Sequence, residues 1–372
     1  MLGLRAAATL KALRSGSQSL ILGTALIALQ EPLRLLTNSI CPGHAQIVFL
    51  NSESEMAPPS PKRILLHVGH GKTGSSYIQS SFALSNNNLS RLGVEYPIAQ
   101  ATLEKAAKGL VTSGNLPDPE GSFAALLETL PEELSSSLLL SSENMFTSLF
   151  GRGVLEEILA ICPDSPISVL LFVRNPTENA ASSYQQAVKR AMIHMEFSQY
   201  LRTFDRIAQV IEFIENCRRN DIEIAVFNYS KEKANLLVVV STWLGVPIDA
   251  LLKPRVSNVN RSLSRSELRL QLELNKALQT RGAGFLSTEL VDRLPNVKSV
   301  QPQADRESLE QFRDRMGKEI KRANEVIGRH VYELEDIEPW VMGDTDDPMV
   351  FSANQLKVIV ESFARRLKHL KD

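Results

Sequence analysis

Cysteine is scarce in this chain. Three occur in 372 residues, Cys41, Cys162 and Cys217, far apart and without a CxxC or other metal-ligand spacing. Each reads as a small buried apolar residue, which suits a reducing, cytoplasmic setting. An excess of one charge is also missing: lysine plus arginine (41) nearly balances aspartate plus glutamate (42), for a net charge of −1. No global basic field is offered to nucleic acid, so polyanion binding would need a local patch. The apolar run from Leu20 to Leu29 is closed by Gln30, Glu31 and Arg34, and falls short of the roughly 20 apolar residues that a membrane span needs. There is no internal repeat, and no low-complexity tract beyond this first segment.

What is present divides the chain unevenly. Arg5, Lys11 and Arg14 precede any acidic residue, no small-residue cleavage site stands out, and Pro58, Pro59 and Pro61 form a stiff linker. Residues 1–60 are therefore expected to be a poorly ordered N-terminal extension or leader, and 61–372 the folded domain, with a helical C-terminal part.

Within 61–372, short apolar runs alternate with helical periodicity. Ile64 to Val68, Leu138 to Leu140, Ile167 to Val173 and Ile222 to Phe227 read as buried strands. Tyr77, Ile78, Phe82 and Leu84 share a helix face that is expected to fade at Asn86-Asn87-Asn88, and Arg91 to Pro131 reads as an irregular excursion with short helices around Leu103 to Leu110 and Phe123 to Leu130. Further helices are predicted near Val154 to Ile161, from Pro176 through Ala180, Tyr184, Ala187, Val188 and Ala191, over Phe197 to Cys217, and up to Trp243-Leu244-Gly245. Ser264 to Thr280, Asp305 to Ile327 and a last helix striped with Leu356, Ile359, Val360, Phe363, Leu367 and Leu370 complete the reading. Ser352 and Gln355 make a capping box for that last helix, and Arg365, Arg366 and Lys368 suit its C-terminal dipole. The alternation predicts a three-layer α/β fold with a mostly parallel sheet, whose ligands sit at the carboxyl ends of the strands.

The first strand runs into His67-Val68-Gly69-His70-Gly71-Lys72-Thr73-Gly74-Ser75-Ser76. A glycine-rich turn, a lysine and a cluster of hydroxyls at a helix start form an anion site, because N–H groups unpaired at a helix N-terminus point outward along the dipole. The triphosphate pattern G-x-x-x-x-G-K-[ST] would need its first glycine at Leu66, inside the strand, so that signature fails. The neighbouring strands end in Ser142-Glu143 and Arg174, with no aspartate placed to hold magnesium.

Lys72-Thr73-Gly74-Ser75-Ser76 resembles the 5′-phosphosulfate loop of the sulfotransferases, K-[ST]-G-[ST]-[ST] after a strand. Arg174, at the end of a strand, and Ser182, eight residues on in the next helix, resemble that family's 3′-phosphate motif. The likeness extends more weakly from about Lys62 to Leu278; where many members carry arginine this chain has Asn179, and the last hundred or so residues match nothing. The resemblance implies a P-loop-like fold and the donor 3′-phosphoadenosine 5′-phosphosulfate (PAPS), a co-substrate with two separate anions, and demands no metal. Gly71, Lys72, Thr73, Gly74, Ser75 and Ser76 are then expected to cradle the phosphosulfate, and Arg174 with Ser182 the 3′-phosphate.

In such a transfer Lys72 is the expected charge at the leaving oxygen. Glu143 is the candidate base for a hydroxyl acceptor, and carbohydrate sulfotransferases use a glutamate near this point; burial would have to raise its pKa for that role. His70 and His67 are the runners-up, and His70 also suits the lining of the donor or acceptor pocket. The acceptor is expected to be a carbohydrate or other hydroxyl compound bound beside Glu143 and the Phe197 to Cys217 helix. A kinase or triphosphatase with a degenerate loop, and a nucleotide-binding protein without turnover, stay open at this stage. Val259 to Leu263 resembles a segment that closes over PAPS, and Asp344 to Asp347 reads as a solvated turn.

Overall fold

The computed structural model describes residues 61–108, 114–116, 123, 126, 130, 136–191, 193–254, 261–343 and 348–368. The expected leader, most of the Phe123 to Leu130 helix, Val259, Asn260, the Asp344 to Asp347 turn and Leu370 lie outside them. In chain order the elements are β1 (Arg63–Val68), α1 (Ser75–Leu84), α2 (Asn86–Arg91), β2 (Val94–Glu95), α3 (Gln100–Ala107), β3 (Ser137–Ser142), α4 (Met145–Gly151), α5 (Val154–Ile161) and β4 (Ile167–Val173). Then come α6 (Pro176–Lys189), α7 (Phe197–Thr203), α8 (Arg206–Arg219), β5 (Glu223–Asn228), α9 (Tyr229–Glu232), α10 (Leu236–Leu244), α11 (Arg265–Leu278), α12 (Phe285–Arg293), α13 (Arg306–Ile327) and α14 (Ala353–Lys368).

The five strands form one parallel sheet in the order β2-β3-β1-β4-β5. Because side chains alternate across a strand, each apolar run feeds two cores. Ile64, Leu66, Val68, Leu138, Leu140, Val169 and Leu171 face the larger core, built with α4 to α8 and α13. Leu65, Leu139, Leu170 and Phe172 face the other, against Ile78 and Phe82 of α1 and Leu236, Leu237 and Val240 of α10. The fold is thus the expected three-layer α/β arrangement. With β3 and β4 on either side of β1, the loops after all three strands emerge at one edge, where the chain order switches direction.

Four expectations are corrected. The Phe197 to Cys217 stretch is two helices, broken at Phe204 and Asp205: Phe204 is extended and buried, and Arg315 of α13 donates to the carbonyls of Leu201 and Phe204 at 2.5 and 2.6 Å, completing the early terminus. Ala191 lies beyond the end of α6, with φ of 52°. Asn86 opens α2 instead of ending a helix, after a bend at Ser85 whose hydroxyl accepts from the Leu252 amide. In α14 the Ser352–Gln355 cap forms, but Val358, Gln355 and Ser362 are the buried positions, while Leu356, Val360 and Leu367 of the expected stripe are exposed. The edge strand β2, inside the stretch read as irregular, was not expected at all.

Arg261, in the segment compared to a closing loop, is a structural residue. Its guanidinium is bidentate to Glu267 at 2.7 and 2.9 Å and also bonds the carbonyls of Leu290 and Leu294; the two side chains are 5% and 0% exposed. Burial works to raise the Glu267 pKa, but the bonds from Arg261, Gln355 and the Ser264 amide outweigh it and hold the carboxyl below its ordinary value. Removing one partner of such a pair strands the other charge. Arg261→Ala is therefore expected to lower stability by about 3–5 kcal/mol in urea denaturation.

Candidate functional site

The loop between β1 and α1 is shaped by its backbone. Gly69 lies so close to β3 that a Cβ there would meet the Glu143 Cα at 2.6 Å and the Ser142 carbonyl at 2.9 Å. Its amide donates to that carbonyl, fixing the loop entry to the end of β3. Lys72 and Gly74 are left-handed, with φ of 69° and 80°. Left-handed residues in a turn of this kind set successive N–H groups into a concavity that holds anions, next to a helix N-terminus. At Gly74 a side chain is doubly excluded, by φ and by the Tyr229 ring 2.8 Å from a Cβ position. The Thr73 hydroxyl closes the turn onto the His70 carbonyl at 2.6 Å.

Three of the expected residue groups meet around this loop. The Ser76 hydroxyl donates to Glu143 at 2.8 Å, joining the start of α1 to the end of β3. Lys72 reaches along α6 to Gln186 Oε1 at 2.9 Å. Burial lowers the Lys72 pKa, Glu143 opposes that, and the positive charges of Arg190 and Arg174 add to the lowering. Arg174, at the end of β4, donates through Nη1 to the Lys72 carbonyl at 3.3 Å, so the residue expected at the 3′-phosphate is tied to the loop expected to hold the phosphosulfate. Its Nε is paired with Glu178 at 2.9 Å, and the guanidinium lies over the Tyr229 ring. Ser182 is half-buried two turns into α6, one turn before Gln186 on the same helix face.

The histidines separate. His67 points into the sheet core, its Nδ1 at 2.7 Å from the Ser141 hydroxyl and its ring edge-on to Phe82 and Phe172, so it is not in the site. His70 is 2% exposed beneath the loop, against Phe146, and neither ring nitrogen has a hydrogen-bond partner. Burial drives both imidazoles to a pKa of about 3, with the Arg206 charge adding to the effect at His70, so both are neutral at any working pH. Glu143 is exposed, so the burial asked of it as a base is not supplied by the chain alone. Among the described residues no group of three His, Cys, Asp or Glu gathers as a metal site, and no helix is long and apolar enough to cross a membrane. Cys162 and Cys217 are buried free thiols.

Four charged residues that the motifs did not single out belong to this neighbourhood. Lys189 and Arg190 follow Gln186 on α6 by one turn, and Lys189 donates to the Arg261 carbonyl at 3.2 Å. Burial first, then the charges of Lys72, Arg261 and Arg190, bring the Lys189 pKa down to about 8 against the pull of Asp292. Arg206 begins α8, and one of its terminal nitrogens lies 3.9 Å from a Cβ position on Gly71. Glu335 accepts from the Thr177 and Glu178 amides at 2.7 and 3.3 Å, capping the helix that carries Ser182. The helical spacing from Ser182 to Arg190 was visible in the sequence; the approach of Arg206 and Glu335 depends on tertiary packing. A separate cavity of about 320 Å³ lies between α6 and α11, lined by Tyr184, Phe197, Arg269, Leu272 and Met342, and contains none of the loop residues.

No family profile matches the chain, and no curated protein matches it. Among solved structures it is similar to retinol dehydratase in complex with retinol and PAP, at 15% identity over 78% of this chain and 84% of that one, with a TM-score of 0.29. It is similar also to retinol dehydratase with androsterone and the inactive cofactor PAP, at 14% identity over 80% and 85%, again with a TM-score of 0.29. Likenesses of that size carry no weight for function.

The Glu335 carboxyl generates a pH dependence. Burial, and then the Glu178 charge, push its pKa up to about 7, against the two amide bonds. The folded state therefore holds the Glu335 proton more tightly than the unfolded state does. Stability from this group is present at low pH and is lost as pH rises from the ordinary carboxylate range through about 7. Glu335→Gln is expected to flatten that fall in thermal denaturation between roughly pH 5 and 8.

Proposed function

We propose that this protein is a sulfotransferase that moves a sulfuryl group from PAPS to a hydroxyl acceptor. The observation that supports the reading is the hydrogen bond of Arg174 to the Lys72 carbonyl, by which the two clusters we read as anion sites adjoin at the carboxyl ends of the strands. A donor with a 5′-phosphosulfate and a 3′-phosphate needs such a pair. Gly71 to Ser76 would hold the phosphosulfate chiefly with their amides, since the Thr73 and Ser76 hydroxyls already donate to the His70 carbonyl and Glu143, and Arg174 with Ser182 would hold the 3′-phosphate, the Arg174–Glu178 pair opening as the phosphate enters.

Sulfuryl transfer asks a protein chiefly for an in-line approach and for stabilisation of charge on the leaving oxygen. Lys72 is placed to stabilise that charge. Its pKa is lowered first by burial and further by the Arg190 and Arg174 charges, and an incoming anion would offset both effects. Glu143 is the preferred base: it stands beside Ser76 at the loop mouth and near Lys72, whereas His70, neutral with a pKa of about 3, has little affinity for a proton. A bound acceptor would cover Glu143 and supply the missing burial. We read the acceptor as a carbohydrate or glycoconjugate held between Glu143 and α7–α8, residues 61–372 as the catalytic domain and 1–60 as an extension, in a reducing compartment that suits the free thiols.

Transfer of labelled sulfate from PAPS to a panel of hydroxyl acceptors tests the proposal. Wild type is expected to label at least one acceptor class, and Lys72→Ala to slow transfer by about 10²- to 10³-fold. Equal rates for the two proteins would overturn it.

A further inference from the structure

Among the described residues Arg206 is a cation without a counter-charge. Arg174 is paired with Glu178, Arg261 with Glu267, and Arg315 caps two carbonyls. Among the described residues Arg206 has no hydrogen bond or ion pair, although it is half-buried. Its neighbour Asp205 is engaged with Gln209 at 2.8 Å and does not neutralise it. Arg206 is also the first residue of α8, at the positive end of the helix dipole, where a cation is disfavoured; the N-cap Asp205 precedes it, and the first turn itself holds no acidic residue. Local preference is violated twice at one position, as happens where a residue serves a ligand.

The groups around it define its direction. One terminal nitrogen is 3.9 Å from a Cβ position on Gly71, so the guanidinium lies in van der Waals reach of the loop. His70 lies below, with both ring nitrogens unpartnered and its ring 4.7 Å from Phe146, three residues after Glu143. Tyr200 is the other titratable group that feels the Arg206 charge. Arg206 thus approaches the loop from the side that carries Glu143 and α4, and Arg174 approaches it from the side of β4.

We propose that Arg206 is a catalytic residue that contacts the non-bridging oxygens of the sulfuryl group during transfer. This inference rests on the sulfotransferase reading. In the step it serves, the acceptor oxygen bonds to sulfur as the sulfur–oxygen bond to the 5′-phosphate breaks. The bonding pair leaves on the phosphate oxygen beside Lys72, and the acceptor proton passes to Glu143. Arg206 holds the sulfuryl group in line between them. The neutral imidazole of His70 adds no further positive charge beside Arg206.

The test uses the fact that adenosine 3′,5′-bisphosphate (PAP) has both phosphates and lacks the sulfuryl group. Calorimetry with PAP and PAPS is compared for wild type, Arg206→Gln and Arg206→Lys, with PAP binding as the check on folding. Arg206→Gln is expected to keep PAP affinity within about twofold, to lose about tenfold in PAPS affinity, and to slow transfer at least a hundredfold, with Arg206→Lys intermediate. Equal losses for PAP and PAPS would make Arg206 a phosphate ligand and overturn the inference, as would unchanged PAPS affinity and transfer. If wild type binds neither nucleotide, the sulfotransferase reading itself fails; if wild type binds both and Arg206→Gln does not separate them, only the Arg206 assignment fails.

Discussion

The parallel pairing of β1 with both β3 and β4 is the constraint on which everything else depends. Val68 stands level with Ser142 on one side and Leu171 on the other, so β1 and β3 end at the same height and β4 runs two residues further, to Val173. The Gly69 amide fastens the first loop to the end of β3, and the Arg174 guanidinium fastens it to the end of β4. No side chain fits at Gly69 because the β3 backbone is already there. The site is therefore a consequence of sheet order, with the loop residues supplying the chemistry.

Charge gives the site its chemical direction. Lys72, Arg174, Lys189, Arg190 and Arg206 gather around one loop in a chain whose overall charge is close to zero. Burial is the main cause of the lowered pKa values of Lys72 and Lys189, and the neighbouring cations add to it. Carboxylates are present, but each has a place: Glu178 on Arg174, Glu143 on Ser76, and Glu335 on the N-terminus of α6. A dianionic or polyanionic ligand is the natural complement to such a field.

Much of this was legible in the sequence because it follows from local pattern. Continuous apolar runs marked four of the five strands, and the Gly71 to Ser76 cluster and Arg174 marked where they end. The two-residue strand β2 left no such mark, since its pairing with β3 is a tertiary event. The break at Phe204 was hidden for a related reason: helical periodicity continues through it, and the carbonyls it frees are satisfied by Arg315, more than a hundred residues away. The Val259 to Leu263 segment resembled one that closes over PAPS, and the buried pairing of its Arg261 with Glu267 is visible only in three dimensions. Arg206 was illegible for the same reason in reverse, as its lack of a partner is visible only in three dimensions.

The central claim is that two adjacent anion sites were built for one nucleotide with phosphates at both ends of its ribose. Calorimetric titration with PAP and, separately, with ATP and magnesium tests it most directly. The account predicts that PAP binds at least about tenfold more tightly than ATP with magnesium, because only PAP fills both sites. Tight binding of ATP with magnesium, and none of PAP, would contradict it.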